Sequence, residues 1–171
     1  YIINGKIMEG KSGLAGELGH IQIEHETDFL CNCGKIGCLE SIIGSNGILQ
    51  EYRRVMGDTY NHDSKITVKD IFDMAKNSAD PVAIESLKKL IHYIAYTCKL
   101  IHLSTNPDLI IIGGGISQAG DYLLNEVKKE LIDMDPGFMG TVHVELAQLG
   151  NEAGVYGAAH NIMNAIKNVK E

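Results

Sequence analysis

The stretch Gly16–Glu40, GELGHIQIEHETDFLCNCGKIGCLE, holds three of the chain's four cysteines within eight residues, Cys31-Asn32-Cys33-Gly34-Lys35-Ile36-Gly37-Cys38. Two glycines lie inside that loop, where the backbone must turn sharply to aim three side chains at one point. His20, eleven residues upstream of Cys31, can supply a fourth ligand. Three thiolates and one imidazole make the tetrahedral shell that Zn²⁺ accepts in closed, structural sites. Isolated cysteines are usually small buried hydrophobes, and a lone histidine is usually a satisfied side chain. Clustering changes that reading, because Cys-x-Cys is awkward for an internal disulfide and three clustered cysteines leave one unpaired. Zinc accounts for three thiols in a glycine-rich knuckle. The fourth ligand stays open on spacing alone, since His25 is closer to Cys31 than His20 is. Cys98 lies in an apolar helical pattern and reads as core.

Glu17-Leu18-Gly19-His20, followed by Cys31-x-Cys33-Gly34-x-x-Gly37-Cys38-Leu39-Glu40, closely resembles the signature of the ROK family (repressor, open reading frame, kinase). That family includes bacterial glucokinases, fructokinases, N-acetylhexosamine kinases and sugar-responsive repressors. The resemblance runs from Tyr1 to about Ile166. It implies an α/β chain forming the C-terminal lobe of the actin-like ATPase (ribonuclease H-like) fold: a mixed sheet with flanking helices and an inserted zinc knuckle, spanning residues 1–171. It also implies that Glu17, His20 and Glu40 bind sugar hydroxyls, and that His20, Cys31, Cys33 and Cys38 hold a structural zinc. His20 would then serve both, one ring nitrogen on the metal and the other toward the sugar. The bland reading of Glu40 is a helix-start carboxylate that complements the dipole.

Around this centre the composition is that of an ordinary soluble globule, with 44% apolar and 22% charged residues among 171. The 22 acids against 15 bases give a net charge of −7, which argues against this chain gripping nucleic acid, since phosphate contacts need clustered Lys and Arg. No apolar run is long enough to span a bilayer, and no leader pattern is visible. Grouped free thiols suit a reducing cytoplasm.

Upstream of the knuckle, Tyr1–Met8 reads as a hairpin turning at Asn4-Gly5, and Glu9–Gly16 as a glycine-rich loop. A chain opening mid-strand looks like a fragment. In the family such a hairpin follows an N-terminal lobe of roughly a hundred residues or more. That lobe carries the phosphate loop and the catalytic aspartate, so no catalytic residue is assigned here and the isolated chain is expected to be inactive. His20–Glu24 alternates as a one-faced strand should.

Downstream, Glu40 to about Met56 is helical, with Ile42, Ile43, Ile48, Leu49, Tyr52 and Val55 on one side and Gly44 and Gly47 weakening its start. Gly57–Lys65 is a polar loop. Thr67 is an N-cap with Asp70 three residues on, opening a helix to about Lys76. Asp80-Pro81 starts the longest helix, which runs to about Leu103. Leu109–Ile112 reads as a strand buried on both faces, ending in Gly113-Gly114-Gly115 and a helix from about Ser117 to Ile132. A buried strand, a glycine turn and a helix N-terminus make a ready anion or nucleotide site, although a triple glycine by itself is often only a tight turn. The run Ile111–Ser117 also resembles the family's adenosine-side motif, which would place Gly113, Gly114 and Gly115 at the nucleotide. Val142–Ala147 is a further strand, and Val155–His160 a small-residue helix that can pack closely on the sheet. Lys167–Glu171 is a solvated tail.

The family implies ATP and Mg²⁺ for the full-length protein, a hexose or N-acetylhexosamine as sugar, and a homo-oligomer. Its two activities give two readings, a sugar kinase and the sugar-sensing domain of a repressor. The intact Gly113–Gly115 turn favours the kinase.

Overall fold

The structure, a computed structural model, describes residues 1–61, 65–135 and 137–168. The chain divides into two compact units, Tyr1–Thr97 and Cys98–Glu171.

The first unit opens on the expected hairpin, β1 (Ile2–Ile3) paired antiparallel with β2 (Lys6–Ile7). Asn4 and Gly5 both adopt positive φ at its turn, the geometry a two-residue hairpin loop requires. The alternating stretch His20–Glu24 forms less strand than its pattern promises. Leu18–His20 is one 3₁₀ turn, and pairing is confined to the isolated antiparallel bridge Gln22–Cys38. The partner it pairs with is the cysteine loop, whose glycine turns leave no room for a longer ladder.

The single helix expected from Glu40 is two, α1 (Leu39–Ile43) and α2 (Ser45–Met56), meeting at an extended Gly44. Gly44 and Gly47 are what let the corner close. A Cβ would lie 2.7 Å from the Glu40 carbonyl oxygen at Gly44 and 2.1 Å from the Ile42 carbonyl oxygen at Gly47. The corner rotates α2 so that Gly47, Ile48, Glu51 and Tyr52 are its buried residues. Glu51 is a charge inside this face, held by the Arg54 guanidinium at 3.0 Å.

Of the loop expected at Gly57–Lys65, positions 62–64 lie outside the described residues, and Gly57–Thr59 is a 3₁₀ turn. Thr67 caps α3 (Val68–Ser78) in a complete capping box: its hydroxyl accepts from the Asp70 N–H at 3.2 Å, and the Asp70 carboxylate accepts from the Thr67 N–H at 2.9 Å. Thr67→Ala is expected to cost about 1 kcal/mol, read as a lowered denaturation midpoint at constant m-value. The long α4 (Pro81–Thr105) begins as expected and ends where Asn106 turns to φ 41°. Its Ala83, Leu87, Leu90, Ile91 and Ile94 are buried, as are Ile48, Tyr52, Ile71 and Phe72 of α2 and α3. This is the core of the first unit.

In the second unit β3 (Ile110–Ile112) pairs with β4 (Val144–Leu146) in parallel register. The strand expected to be buried on both faces is buried on one: Ile110 is 9% and Ile111 61% accessible. The pair Ile110–Val144 faces α5 (Asp121–Met134), whose Leu123, Leu124, Val127 and Leu131 complete the core of this unit.

The helix expected from Ser117 begins later. Gly115–Ala119 is a 3₁₀ turn, Gly120 breaks it at φ 67°, and α5 starts at Asp121. The helix expected to pack closely on the sheet is α6 (Ala153–Asn168), and its described side chains are all exposed. Small residues allow close packing but do not by themselves bring it about. Of the expected tail, positions 169–171 lie outside the described residues. Among the described residues no helix is long and apolar enough to cross a membrane.

Candidate metal centre and its carboxylate rim

The site is built by three short segments of the first unit folded across one another. Cys31 and Lys35 close a tight turn: the Cys31 N–H donates to the Lys35 carbonyl at 2.8 Å and the Gly34 N–H to the Cys31 carbonyl at 2.9 Å. The Leu30–Ile36 bridge zips its base. Gly37 is the crossing point. Its N–H donates to the Phe29 carbonyl at 2.8 Å, and its own carbonyl accepts from Ile23 and Glu24 at 2.9 and 3.1 Å. Its φ is +69°, and a Cβ there would lie 1.7 Å from the Glu24 carbonyl oxygen, so only glycine fits. Beyond it the Leu39 N–H donates to the Ile21 carbonyl at 2.9 Å, which carries the first turn of α1 alongside the His20 segment. The Ser41 hydroxyl donates to the Cys38 carbonyl at 2.7 Å, closing that turn.

This crossing brings the sulfurs and the imidazole together. Cys31 Sγ lies 3.5 Å from His20 Nδ1, and Cys33 Sγ lies 3.6 Å from Cys38 Sγ. The ligand atoms of His20, Cys31 and Cys33 all fall within 4.8 Å of one another. Zn–S bonds of about 2.3 Å and Zn–N bonds of about 2.1 Å set tetrahedral edges of about 3.8 Å between sulfurs and about 3.6 Å between sulfur and nitrogen. The two separations of 3.5 and 3.6 Å match those edges, while Cys38 Sγ, beside Cys33, falls outside the group that His20, Cys31 and Cys33 form within 4.8 Å. Both separations are far from the disulfide length of about 2.05 Å, and all four cysteines are free. His20 is therefore the histidine beside the thiols, while His25 is exposed and outside the group.

The thiols also differ in environment. Hydrogen bonds from the Lys35 backbone and from Cys31 lower Cys33 to about 7. Burial and the neighbouring thiols push Cys38 up to about 11. Crowded thiols that resist ionising together are the donor set a dication would stabilise.

Around the same imidazole stand the two carboxylates. Glu17 Oε2 lies 3.7 Å from His20 Nε2, and Glu40 Oε2 lies 3.6 Å from His20 Nδ1. Both carboxylate side chains are about half-exposed. Gly19 lies close to Glu40, since a Cβ there would lie 3.3 Å from Glu40 Cβ. Nδ1 is the nitrogen on the thiol side and Nε2 the one toward Glu17. The two carboxylates named by the resemblance thus flank the imidazole of the third candidate, His20.

In the second unit, Gly113–Gly115 follow β3. Gly114 takes φ +77°, and a Cβ added at Gly114 or Gly115 would meet nothing within 4 Å. The Ser117 hydroxyl donates to the Gly114 carbonyl at 2.8 Å. The loop after β4 lies beside them, with Ala147 Cβ 3.4 Å from where a Cβ of residue 113 would stand. Two loops at the carboxyl ends of adjacent parallel strands leave exposed backbone where ligands commonly approach. The α-helix N-terminus expected there is displaced to Asp121 by the 3₁₀ turn.

Sequence reading missed a cluster that supports the knuckle: Glu24, Lys89 and Tyr93. The Glu24 carboxylate accepts from Lys89 Nζ at 2.9 Å and from the Tyr93 hydroxyl at 2.7 Å. Burial opposes ionisation of Glu24, but these hydrogen bonds and the Lys89 charge outweigh it and hold its carboxyl below the usual range. Burial and the bond to Glu24 push Tyr93 up to about 12. The available signal was weak: a lysine and a tyrosine four apart on one helix.

An α/β chain carrying a thiol–imidazole knuckle rimmed by carboxylates is the class these features define. The sequence matches the ROK family model over residues 1–164, and the chain belongs to the ROK family. A glucokinase of Halalkalibacterium halodurans is 33% identical over 165 residues, covering 91% of this chain and 50% of that protein. N-acetyl-D-glucosamine and N-acetylmannosamine kinases are also among the relatives. Among solved structures, the ROK family glucokinase of Streptomyces griseus in complex with glucose and AMPPNP superposes with a TM-score of 0.79 at 29% identity, over 93% of this chain and 55% of that one. A ROK family transcriptional regulator, a homologue of the E. coli MLC protein, superposes at 0.63 and 29% identity, over 84% and 37%. The chain spans about half the length of the curated relatives it matches. It is an α/β chain with the fold of the corresponding part of the ROK sugar kinases.

Proposed function

We propose that this chain is the sugar-binding lobe, the C-terminal one, of an ATP-dependent kinase acting on a hexose or N-acetylhexosamine. The observation that carries this reading is the pair of half-exposed carboxylates, Glu17 and Glu40, flanking one imidazole whose Nδ1 faces a thiol cluster. Carboxylates accept paired hydrogen bonds from neighbouring sugar hydroxyls, and a charged acceptor makes each bond stronger. His20, Cys31, Cys33 and Cys38 would hold Zn²⁺. When bound, the metal would neutralise the thiolates and lock the knuckle, with no part in activating water. His20 then keeps Nε2 free to meet the sugar beside Glu17, and its ring orientation follows from what Nδ1 faces. Binding a hydroxyl between fixed groups orients it for attack on a phosphoryl group. ATP, Mg²⁺ and a proton acceptor complete that reaction, and Gly113–Gly115 are the residues this chain would offer to the nucleotide.

Glu40→Gln should weaken sugar binding by about tenfold or more, the loss of a charge-assisted bond, while metal content stays stoichiometric. Metal analysis with titration calorimetry checks both, and loss of the metal as well would make the role of Glu40 structural.

The second reading, a sugar-sensing regulator domain, is favoured by the superposition on the MLC homologue. The higher TM-score and wider coverage of the glucokinase are what support the kinase as the first reading. An ADP-release assay on the intact protein with a panel of hexoses and N-acetylhexosamines separates them. Turnover on one sugar supports the kinase. No turnover, with a sugar-dependent rise in melting temperature, supports the regulator.

A further inference from the structure

We infer that Glu24 is a positioning residue for the sugar site, acting with Lys89 and Tyr93 of α4 as a clamp that sets the knuckle's orientation. The inference rests on the sugar-binding reading above. Its physical basis lies wholly within the first unit.

Glu24 touches the knuckle through its backbone and the helix through its side chain. Its N–H donates to the Gly37 carbonyl at 3.1 Å, and its own carbonyl oxygen lies against Gly37. Gly37 immediately precedes Cys38. The carboxylate divides its two oxygens, Oε2 to Lys89 and Oε1 to Tyr93, which sit one turn apart on α4. Neither oxygen can shift without losing a partner. The ion pair is also shielded, with side-chain exposures of 20% for Glu24 and 27% for Lys89, so it is screened less than a surface pair.

Lys89 reaches the knuckle's other arm as well. Its ammonium lies 4.8 Å from the centroid of the Phe29 ring, a cation–π distance. The Phe29 carbonyl accepts from the Gly37 N–H at 2.8 Å and lies 3.2 Å from the Ser41 hydroxyl, as the longer branch of a proton shared with the Cys38 carbonyl. Ser41 follows Glu40. One carboxylate and one ammonium therefore fix both strands that cross at Gly37, and through them Cys38 and the carboxylate proposed to bind sugar. Helix α4 carries the buried Leu87, Leu90, Ile91 and Ile94 of the unit's core, so the knuckle is referenced to a packed helix.

The test compares wild type, Glu24→Ala, Lys89→Met, their double variant and Lys89→Arg in the intact protein. Three readouts are taken: amide exchange over residues 20–41, the rate of metal transfer to a chelating dye, and KM for sugar against KM for ATP. Glu24→Ala and Lys89→Met should each speed exchange across 20–41 while α3 keeps its protection. They should raise the sugar KM by about tenfold, as supporting contacts around a ligand site do, with the ATP KM unchanged. The double variant should lose less than the two single losses added together, because they share the Glu24–Lys89 bond, and Lys89→Arg, which keeps the cation on the Phe29 ring, should restore most of the loss. Unchanged exchange over 20–41 would overturn the clamp. Faster exchange with an unchanged sugar KM and metal-transfer rate would overturn its role in the site. If wild type turns over no sugar, the kinase reading fails separately, and exchange and metal transfer still decide the clamp.

Discussion

Gly37→Ala is expected to dismantle the cysteine knuckle, with a stability loss of more than about 4 kcal/mol, in the range reserved for strain or buried clash. Two costs add. The φ of +69° is one an alanine adopts only against steric resistance of about 1–2 kcal/mol. The new Cβ would also lie 1.7 Å from the Glu24 carbonyl oxygen and 2.7 Å from its carbon. Those atoms are backbone, pinned by the bonds from Ile23 and Glu24 to Gly37 itself, so no side chain can rotate away. Gly34 is the internal control. It sits in the same loop at φ +85° with nothing within 4 Å of its Cβ position, so Gly34→Ala should cost only the conformational part. Denaturation midpoints and metal content of the two variants check this. Equal losses would show that the close approach at Gly37 does not matter.

Cys33→Ser carries the second large effect. A serine hydroxyl stays protonated near neutral pH and is a poor ligand for Zn²⁺, so the proposed set of four donors would be reduced to three. Supporting contacts around such sites are worth about 10–100-fold in affinity, and a direct ligand should be worth more than that, above about 100-fold. Cys33 is the exposed member of the set, so the substitution leaves no cavity and its effect isolates ligation from packing. Sugar affinity should fall with the metal, because His20 Nδ1 faces Cys31 and Glu40 is two residues from Cys38. Elemental analysis and calorimetry on the same sample check the pair of outcomes. Metal loss with undiminished sugar affinity would sever the proposed coupling.

The difference between what could and could not be read in the chain follows from range. The thiol group was legible because Cys31, Cys33 and Cys38 are local, and glycine spacing announces a turn. On spacing alone the choice between His20 and His25 was not, and the family resemblance made it; the Gln22–Cys38 bridge swings the earlier segment back to the thiols. Glu17 and Glu40 came from a resemblance, and only the fold shows that both lie against the same imidazole. Periodicity suggested one helix from Glu40, but a corner at Gly44 depends on carbonyl approaches that no hydrophobic pattern encodes. Buried Glu51 is a consequence of that rotation. Glu24 and Lys89 stand 65 residues apart, and nothing local in either tells of the other. Ile111 and the exposed residues of α6 show the converse: apolar runs reveal the capacity to be buried, while the partner that would bury them is a separate matter.

The central claim is that a metal-held knuckle shapes the site where sugar binds. Titration calorimetry of glucose and N-acetylglucosamine into the intact protein, before and after chelator treatment and after zinc is restored, tests it most directly. Binding of one sugar is expected at a metal stoichiometry near one, with loss of that binding on stripping and its recovery with zinc. Equal sugar affinity in the loaded and stripped protein would contradict the claim.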